Sequence, residues 1–192
     1  MTTAGFAVLD LETTGLSPRK GARTIEIGLV LVAADGVVED RWETLVDPGC
    51  APGPTHIHGV TGPMLQGAPT FADIAGDLAS RLAGRTIVAH NAAFDVSFLD
   101  AEFRRVGLRW TREPLCTMAL ARRRGYRPAN LAFLCKTFGI VNRGAHHALG
   151  DAVATAELLT LLAVQPEETP GAVGFPTGYP LPFGRVHLRP AG

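Results

Sequence analysis

Three short β-rich runs follow one another near the start of the chain. An apolar run over residues 5–11 precedes two further runs, over 24–33 and 37–46. The last two are joined by residues 34–36, which end in Asp-Gly, and an Asp-Gly pair between two such runs is a strong hairpin signal. The chain is therefore predicted to begin as an antiparallel meander of three strands.

The chain then alternates a strand with helices. A helix is predicted from Thr70, as its N-cap, to a stop at Gly84, and the apolar run over 86–90 has the pattern of another buried strand. Further helical patterns follow over 94–106, 114–124, 131–138 and 149–162. A meander followed by strand–helix alternation predicts an α/β fold with a mixed sheet flanked by helices.

Length and composition fit one domain with a short appendage. The chain has 192 residues, of which 46% are hydrophobic. We expect the domain to span 1–164, because residues 165–192 are rich in proline and glycine and have no periodic apolar face. These residues are predicted to form a flexible C-terminal tail. With no apolar run of signal-peptide or membrane-spanning length, we expect a soluble cytoplasmic protein.

The charge of the chain is balanced, with 18 basic and 18 acidic residues. Proteins that grip nucleic-acid phosphates without sequence preference usually carry a basic excess, because counterion release drives that binding. Any such affinity must therefore be local, built from a cleft and bound cations. The cluster Arg122, Arg123, Arg124 and Arg127 has a simpler explanation as exposed charge at a helix end.

Four acidic residues stand where predicted strands end or helices begin. Asp10 and Glu12 lie two residues apart at the end of the first strand, so their side chains point to the same side of the sheet. Asp95 follows the strand over 86–90, and Asp151 opens the last helix. Taken singly, each of these acids can also be explained as a residue that caps a turn or stands at the start of a helix. As converging carboxylates, Asp10 and Glu12 suit a hard divalent cation.

The order of these acids, together with the residues around each of them, resembles the pattern of a known family. It is the DEDD-type (histidine variant) 3′→5′ exonuclease family, typified by the proofreading epsilon subunit of bacterial DNA polymerase III and by ribonuclease T. The matching segments are VLDLETTG (8–15), IEIGLV (25–30), HIHGVT (56–61), VAHNAAFDVSFL (88–99) and HHALGDAVATAELL (146–159). The resemblance implies a ribonuclease H-like mixed five-stranded sheet, with a three-strand antiparallel meander and two parallel strands, flanked by helices.

The resemblance assigns catalytic roles to five residues. Asp10, Glu12, Asp95 and Asp151 match the family's metal-binding carboxylates, and His146 matches its catalytic histidine. It implies two Mg²⁺ or Mn²⁺ ions per site, about 4 Å apart. Asp10 would bridge both ions, Glu12 and Asp151 would hold the ion that carries the attacking water, and Asp95 would support the other. His146 would take the proton of that water.

Ten more residues match segments that the family places near the terminal nucleotide. They are Thr13, Thr14, Gly15, Leu16, Ile57, His58, Thr61, Asn91, Phe94 and Phe98. An aromatic ring at Phe98 would stack on any base, which is worth about 1–3 kcal/mol. The helical spacing of Phe98 fits a core residue equally well.

The predicted function is metal-dependent hydrolysis from the 3′ end of DNA that releases 5′-mononucleotides, in proofreading or repair. An RNA 3′-trimming exonuclease, like ribonuclease T or oligoribonuclease, is the alternative, because both polymers contain the same phosphodiester. A non-catalytic polymerase-binding module is disfavoured, because all five catalytic positions are filled. The expected partners are single-stranded or frayed 3′ ends and, through the tail, a DNA polymerase subunit. Monomer and dimer remain open.

Overall fold

A mixed five-stranded sheet forms the centre of the protein. The computed structural model describes residues 5–109 and 113–164. Its strands are β1 (Phe6–Thr13), β2 (Thr24–Val32), β3 (Val38–Leu45), β4 (Thr86–Ala89) and β5 (Leu115–Cys116). The spatial order is β3-β2-β1-β4-β5, with the first three strands antiparallel and β4 and β5 parallel to β1. The predicted fold class is confirmed.

Six helices connect and cover the strands in the described residues. They are α1 (Thr55–His58), α2 (Phe71–Leu82), α3 (Ala92–Arg105), α4 (Thr117–Arg123), α5 (Leu131–Phe138) and α6 (Ala148–Val164), with 3₁₀ turns at Pro18–Lys20 and Pro63–Leu65. The predicted N-cap of α2 is confirmed. The Thr70 hydroxyl accepts from the backbone N–H of Asp73, whose carboxylate accepts from the backbone N–H of Thr70.

One helix prediction was wrong at its start. The pattern over 114–124 predicts a helix throughout, but Leu115 and Cys116 form β5 and the helix begins only at Thr117. Leu115 and Cys116 pair with Val88 and Ala89 of β4. A strand of two residues carries no recognisable periodicity, so its existence depends on the neighbouring strand.

The two faces of the sheet are covered by different helices. On β1, Leu9 and Leu11 belong to the core shared with α2 and α3. Phe6 and Val8 face the other way, toward residues of α6. Because side chains alternate along a strand, Asp10 and Glu12 lie on the α6 face.

Within the described ranges, no helix combines the length and apolarity needed to span a bilayer. The tail predicted over 165–192 lies outside the described residues.

Candidate active site

Three carboxylates from distant parts of the chain converge at the end of β1. Asp10, Glu12 and Asp151 each offer a ligand oxygen, and these oxygens lie within 4.8 Å of one another. Asp10 and Glu12 come from β1, whereas Asp151 comes from the first turn of α6. The structure thus brings together three of the four predicted carboxylates as one close group.

The close approach of α6 to the sheet depends on a glycine. Gly28 of β2 is the direct partner of Asp10 in the sheet. A Cβ atom at Gly28 would lie 2.1 Å from the carbonyl carbon of Ala148 and 2.2 Å from the backbone nitrogen of Leu149. Only a residue without a side chain lets the start of α6 touch the strand here. This contact places Asp151 beside Asp10.

Asp95 reaches the same site from α3, on the other face of the sheet. Its side chain is buried, and its carboxylate accepts a hydrogen bond from the backbone of Leu11. The charge of Asp95 is the strongest of the neighbouring charges that raise the pKa of Asp10, so the two carboxylates are neighbours. Asp95 is not a member of the close group of three.

The pKa values of Asp10, Glu12 and Asp95 are all raised. Burial is the main cause that raises the pKa of Asp10 well above its ordinary value, and the charges of Asp95, Asp151 and Glu12 raise it further. Burial and neighbouring acids raise the pKa of Glu12 to about 8. Burial also raises the pKa of Asp95 to about 8, although backbone hydrogen bonds oppose the shift. Such a crowd of acids favours a bound cation.

The donor set fits a hard divalent cation. Asp10, Glu12 and Asp151 offer only carboxylate oxygens, which Mg²⁺ and Mn²⁺ prefer over nitrogen or sulfur. Among the described residues, no lysine or arginine forms an ion pair with any of the four acids. A divalent cation would supply the positive charge that these residues lack.

A fifth acid, Glu26, adjoins the site and was not assigned from the sequence. Glu26 is the partner of Glu12 in the β1–β2 ladder and is only 7% exposed. Its Oε2 has no hydrogen-bond partner among the described residues. The charge of Glu26 contributes to the raised pKa values of Glu12 and Asp10. The available signal was a glutamate inside the apolar run over 24–33, since buried acids are rare.

Asn142 holds Asp151 and was also missed. Its side-chain amide donates to Oδ1 of Asp151, and its Oδ1 accepts from the backbone N–H of Gly144 at 3.2 Å. The asparagine thus ties the loop before α6 to the carboxylate. No pattern in the sequence distinguishes this asparagine from an ordinary loop residue.

His146 is held through its backbone beside the carboxylates. Its backbone N–H donates to Oδ2 of Asp151 at 3.3 Å, and its side chain is exposed. The residue has a φ of 65°, in the left-handed region that few non-glycine residues adopt. The neighbouring His147 contacts another acid, with its Nδ1 4.0 Å from Oε1 of Glu26. The loop therefore presents the two histidines differently.

Several predicted nucleotide contacts are exposed next to the end of β1. Leu16 is 91% exposed and Ile57 is 52% exposed, which is unusual for large apolar side chains. The loop that carries Ile57 is packed against the turn after β1, because a Cβ at Gly53 would lie 2.3 Å from the carbonyl oxygen of Thr14. Thr61 and Asn91 are exposed, whereas Thr14, Gly15 and Phe94 are partly buried.

Two predicted contacts are corrected by the structure. Phe98 is fully buried in the core with α2 and cannot offer a ring face to a base. It packs instead beneath Phe94, with 4.9 Å between the ring centroids. His58 is 2% exposed, and its Nδ1 accepts from the backbone N–H of Val60 at 3.1 Å.

Thr13 is buried as well and acts within the turn. Its hydroxyl donates to the carbonyl oxygen of Gly15 at 2.8 Å. The hydroxyl of Thr14 accepts from the backbone N–H of Arg23 at 2.9 Å. The segment leading to Leu16 is therefore fixed before any ligand arrives.

Comparison with solved structures supports the fold. Exonuclease I of E. coli in complex with an oligonucleotide superposes with a TM-score of 0.73 at 20% identity, covering 83% of this chain and 41% of that one. The nuclease domain of 3′hExo, a DEDDh family member bound to rAMP, gives a TM-score of 0.69 at 16% identity, covering 80% of this chain and 88% of that one.

Sequence comparison identifies closer relatives. DNA polymerase III subunit epsilon of Treponema pallidum is 36% identical over 171 residues, covering 82% of this chain and 75% of that protein. A protein of Mycobacterium tuberculosis named as a bifunctional exonuclease/endonuclease is 38% identical over 176 residues, and this chain spans 26% of its length. The family model described as exonuclease matches residues 7–159. The chain belongs to this exonuclease family.

Proposed function

We propose that the protein removes nucleotides one at a time from the 3′ end of DNA and releases 5′-mononucleotides, in proofreading or repair. The observation that carries this proposal is the convergence of Asp10, Glu12 and Asp151 within 4.8 Å, with Asp95 against Asp10. The choice of DNA is supported by relatives named DNA polymerase III subunit epsilon, at 33–36% identity.

Asp10, Glu12, Asp95 and Asp151 would hold two Mg²⁺ or Mn²⁺ ions, which when bound neutralise charge on the phosphoryl oxygens and lower the pKa of a coordinated water. The protein supplies an anionic cage, formed by these four carboxylates, and the Asn142 side chain keeps the Asp151 carboxylate in one orientation. Because the cage lies at the end of β1, the scissile phosphate must approach over the same edge of the sheet.

His146 is the proposed general base. Its side chain is exposed and its backbone lies beside Asp151, and an imidazole is suited to accept the proton of an attacking water near neutral pH. The hydrogen bond from the His146 backbone to Asp151 holds this residue beside the carboxylates. A movement of the loop that carries His146 would therefore disturb both the proposed base and the Asp151 carboxylate.

The terminal nucleotide would lie between two exposed apolar side chains. Leu16 follows the hydrogen-bonded turn of Thr13 and Thr14, and Ile57 projects from the loop packed on that turn. Phe94, braced by Phe98, and Asn91 stand at the start of α3. Apart from Asn91, these contacts are apolar and read no base edge, which suits an enzyme that shortens any sequence.

The test uses single-stranded DNA and RNA labelled at either end. With Mg²⁺ or Mn²⁺, we expect a 3′ label to be released as a mononucleotide and a 5′-labelled strand to shorten in single steps. EDTA or Asp10→Asn should abolish release while circular dichroism remains unchanged. Release of a 5′ label first, or full activity in EDTA, would contradict the proposal. Faster cleavage of RNA than of DNA would assign RNA 3′ trimming instead.

A polymerase partner bound through residues 165–192 is part of the same proposal and lies outside the described residues. The cytoplasmic location likewise stays a prediction.

A further inference from the structure

A basic cavity lies between α3 and the 3₁₀ turn after β1. Its volume is about 410 Å³, and its charged lining consists of Arg19, Arg104 and Arg105 against Asp100. The chain as a whole has a formal net charge of zero. A cavity with three guanidinium groups and one carboxylate is therefore a local concentration of positive charge, of the kind that a neutral nuclease needs.

The arginines of the cavity keep donors for a ligand. Arg19 is exposed and forms no ion pair among the described residues. Arg104 pairs with Asp100 at 3.0 Å, but both side chains are solvent-accessible, and exposed pairs of this kind are weak. The third arginine, Arg105, is 3.3 Å from Glu102.

Glu102 is itself already satisfied. Its two carboxylate oxygens accept from Arg23 at 2.8 and 2.9 Å, and Oε1 also accepts from the backbone N–H of Thr24 at 3.2 Å. Arg105 is thus an additional partner of a buried carboxylate that already accepts hydrogen bonds from Arg23 and Thr24. An anion that enters the cavity can engage Arg105 without breaking the Arg23–Glu102 pair.

Both walls of the cavity begin at proposed contacts of the terminal nucleotide. On α3, Phe94, Ser97, Ala101 and Arg104 are spaced by three or four residues and so form one stripe. This stripe is about 15 Å long, from the rise of an α-helix. On the other wall, Arg19 follows Leu16 by one short turn.

We propose that this cavity binds the phosphate backbone of the nucleotides immediately upstream of the 3′-terminal one. The proposal rests on the proposed function, because that function places the terminal nucleotide between Leu16 and Ile57, with Phe94 as a further contact. A single strand leaving that position along either wall meets an arginine. Guanidinium groups suit the site, because their fork of donors matches two oxygens of one phosphate.

The test compares Arg19→Gln/Arg104→Gln with Arg41→Gln. Arg41 is an exposed arginine of β3 that lines a separate depression with Val153 and Glu157 of α6, on the opposite face of the sheet. The affinity of each protein for a labelled dT oligomer of about eight nucleotides and for a dinucleotide is measured by fluorescence anisotropy, within the range of single-strand site sizes. Ca²⁺ replaces Mg²⁺ so that the DNA is held and not cut.

The double variant should bind the longer oligomer at least about fivefold more weakly, while the dinucleotide changes by less than about twofold. The slope of log K against log salt should become shallower by about 1.4, since each single-strand phosphate contact contributes about 0.7. Arg41→Gln should match the unsubstituted protein in each measurement.

An unchanged affinity for the longer oligomer, or an equal loss for both lengths, overturns the proposal. Thermal melting shows whether the double variant is folded. If the double variant is unfolded, the single variant Arg19→Gln, on an exposed turn, is compared with Arg41→Gln instead. The outcome is separable from the proposed function. Failure of the unsubstituted protein to release nucleotides from labelled DNA refutes the function, whereas the anisotropy data still decide whether the cavity binds a strand.

Discussion

Gly28 of β2 and Ala148 of α6 are in direct backbone contact. A Cβ at position 28 would lie 2.1 Å from the carbonyl carbon of Ala148, well inside the distance that real side chains tolerate. Since Gly28 pairs with Asp10 and Ala148 precedes Asp151 by less than one turn, this contact sets the separation of two acids of the site. Packing of a helix on a strand thereby determines the geometry of the chemistry.

Gly28→Ala should therefore disturb the site more than the fold. We expect a loss of about 1–3 kcal/mol in the free energy of unfolding, typical of overpacking. The release of nucleotides should slow by about 100-fold or more, because displacement of a catalytic group by about 1 Å has effects of that size. Thermal melting and single-turnover kinetics measure the two effects.

Gly76→Ala is the matched control. Gly76 lies inside α2, and a Cβ there meets nothing within 4 Å. Alanine should stabilise the helix by about 0.5–1 kcal/mol without altering the rate. Normal activity of Gly28→Ala would show that α6 does not depend on this contact.

The stability of the metal-free protein should fall as the pH rises. The pKa values of Glu12 and Asp95 are raised to about 8 in the folded protein, above those of an unfolded chain. Their protonation therefore favours the folded state, a contribution that is complete below the unfolded pKa and is lost as the pH rises through about 8. We expect the Tm in EDTA to decrease from about pH 5 to about pH 9.

Saturating Mg²⁺ should reduce this decrease, because a cation favours the ionised carboxylates. Asp10→Asn should flatten the metal-free profile, since one of the repelling charges is removed, and should also weaken the effect of Mg²⁺. Identical profiles in EDTA and in Mg²⁺ would argue against a cation site at these residues. Differential scanning calorimetry across the pH range makes the comparison.

The two adjacent histidines should differ sharply. His146→Ala is expected to slow hydrolysis by about 10²–10⁴-fold, the range for loss of a general base. The Tm increase caused by Mg²⁺ should persist, because the carboxylates remain. His147→Ala, which removes a ring 4.0 Å from Glu26, should have the smaller effect on the rate. If His147→Ala is the damaging change, the general base has been assigned to the wrong residue.

Asn142→Ala should raise the Mg²⁺ concentration required for activity. The side chain donates to Asp151, and removal of a group that orients a ligand usually costs about 10–100-fold in metal affinity or activity. A Mg²⁺ titration of the initial rate measures the shift. Asn130→Ala is the control, because Asn130 caps α5 and accepts from the backbone N–H of Phe133 at 2.9 Å. It should lower stability by about 1 kcal/mol and leave the Mg²⁺ requirement unchanged.

Features that depend on neighbours in the chain were predictable from the sequence. The N-cap at Thr70 and the hairpin at residues 34–36 rest on side chains and turns within a few residues. The shared orientation of Asp10 and Glu12 follows from the two-residue period of a strand. Periodicity also separated the meander from the alternating half, because helices and strands repeat their apolar residues at different intervals.

The tertiary structure alone decided which groups meet and which are enclosed. β5 exists because β4 offers it a partner, and Phe98 is buried in a core that includes residues of β1 and β2 far away along the chain. Glu26 faces Glu12 because the β1–β2 register aligns them, and Asp151 lies beside Asp10 because Gly28 lets α6 rest on the sheet. Burial and register are set by contacts between distant segments, and local patterns contain no record of those contacts.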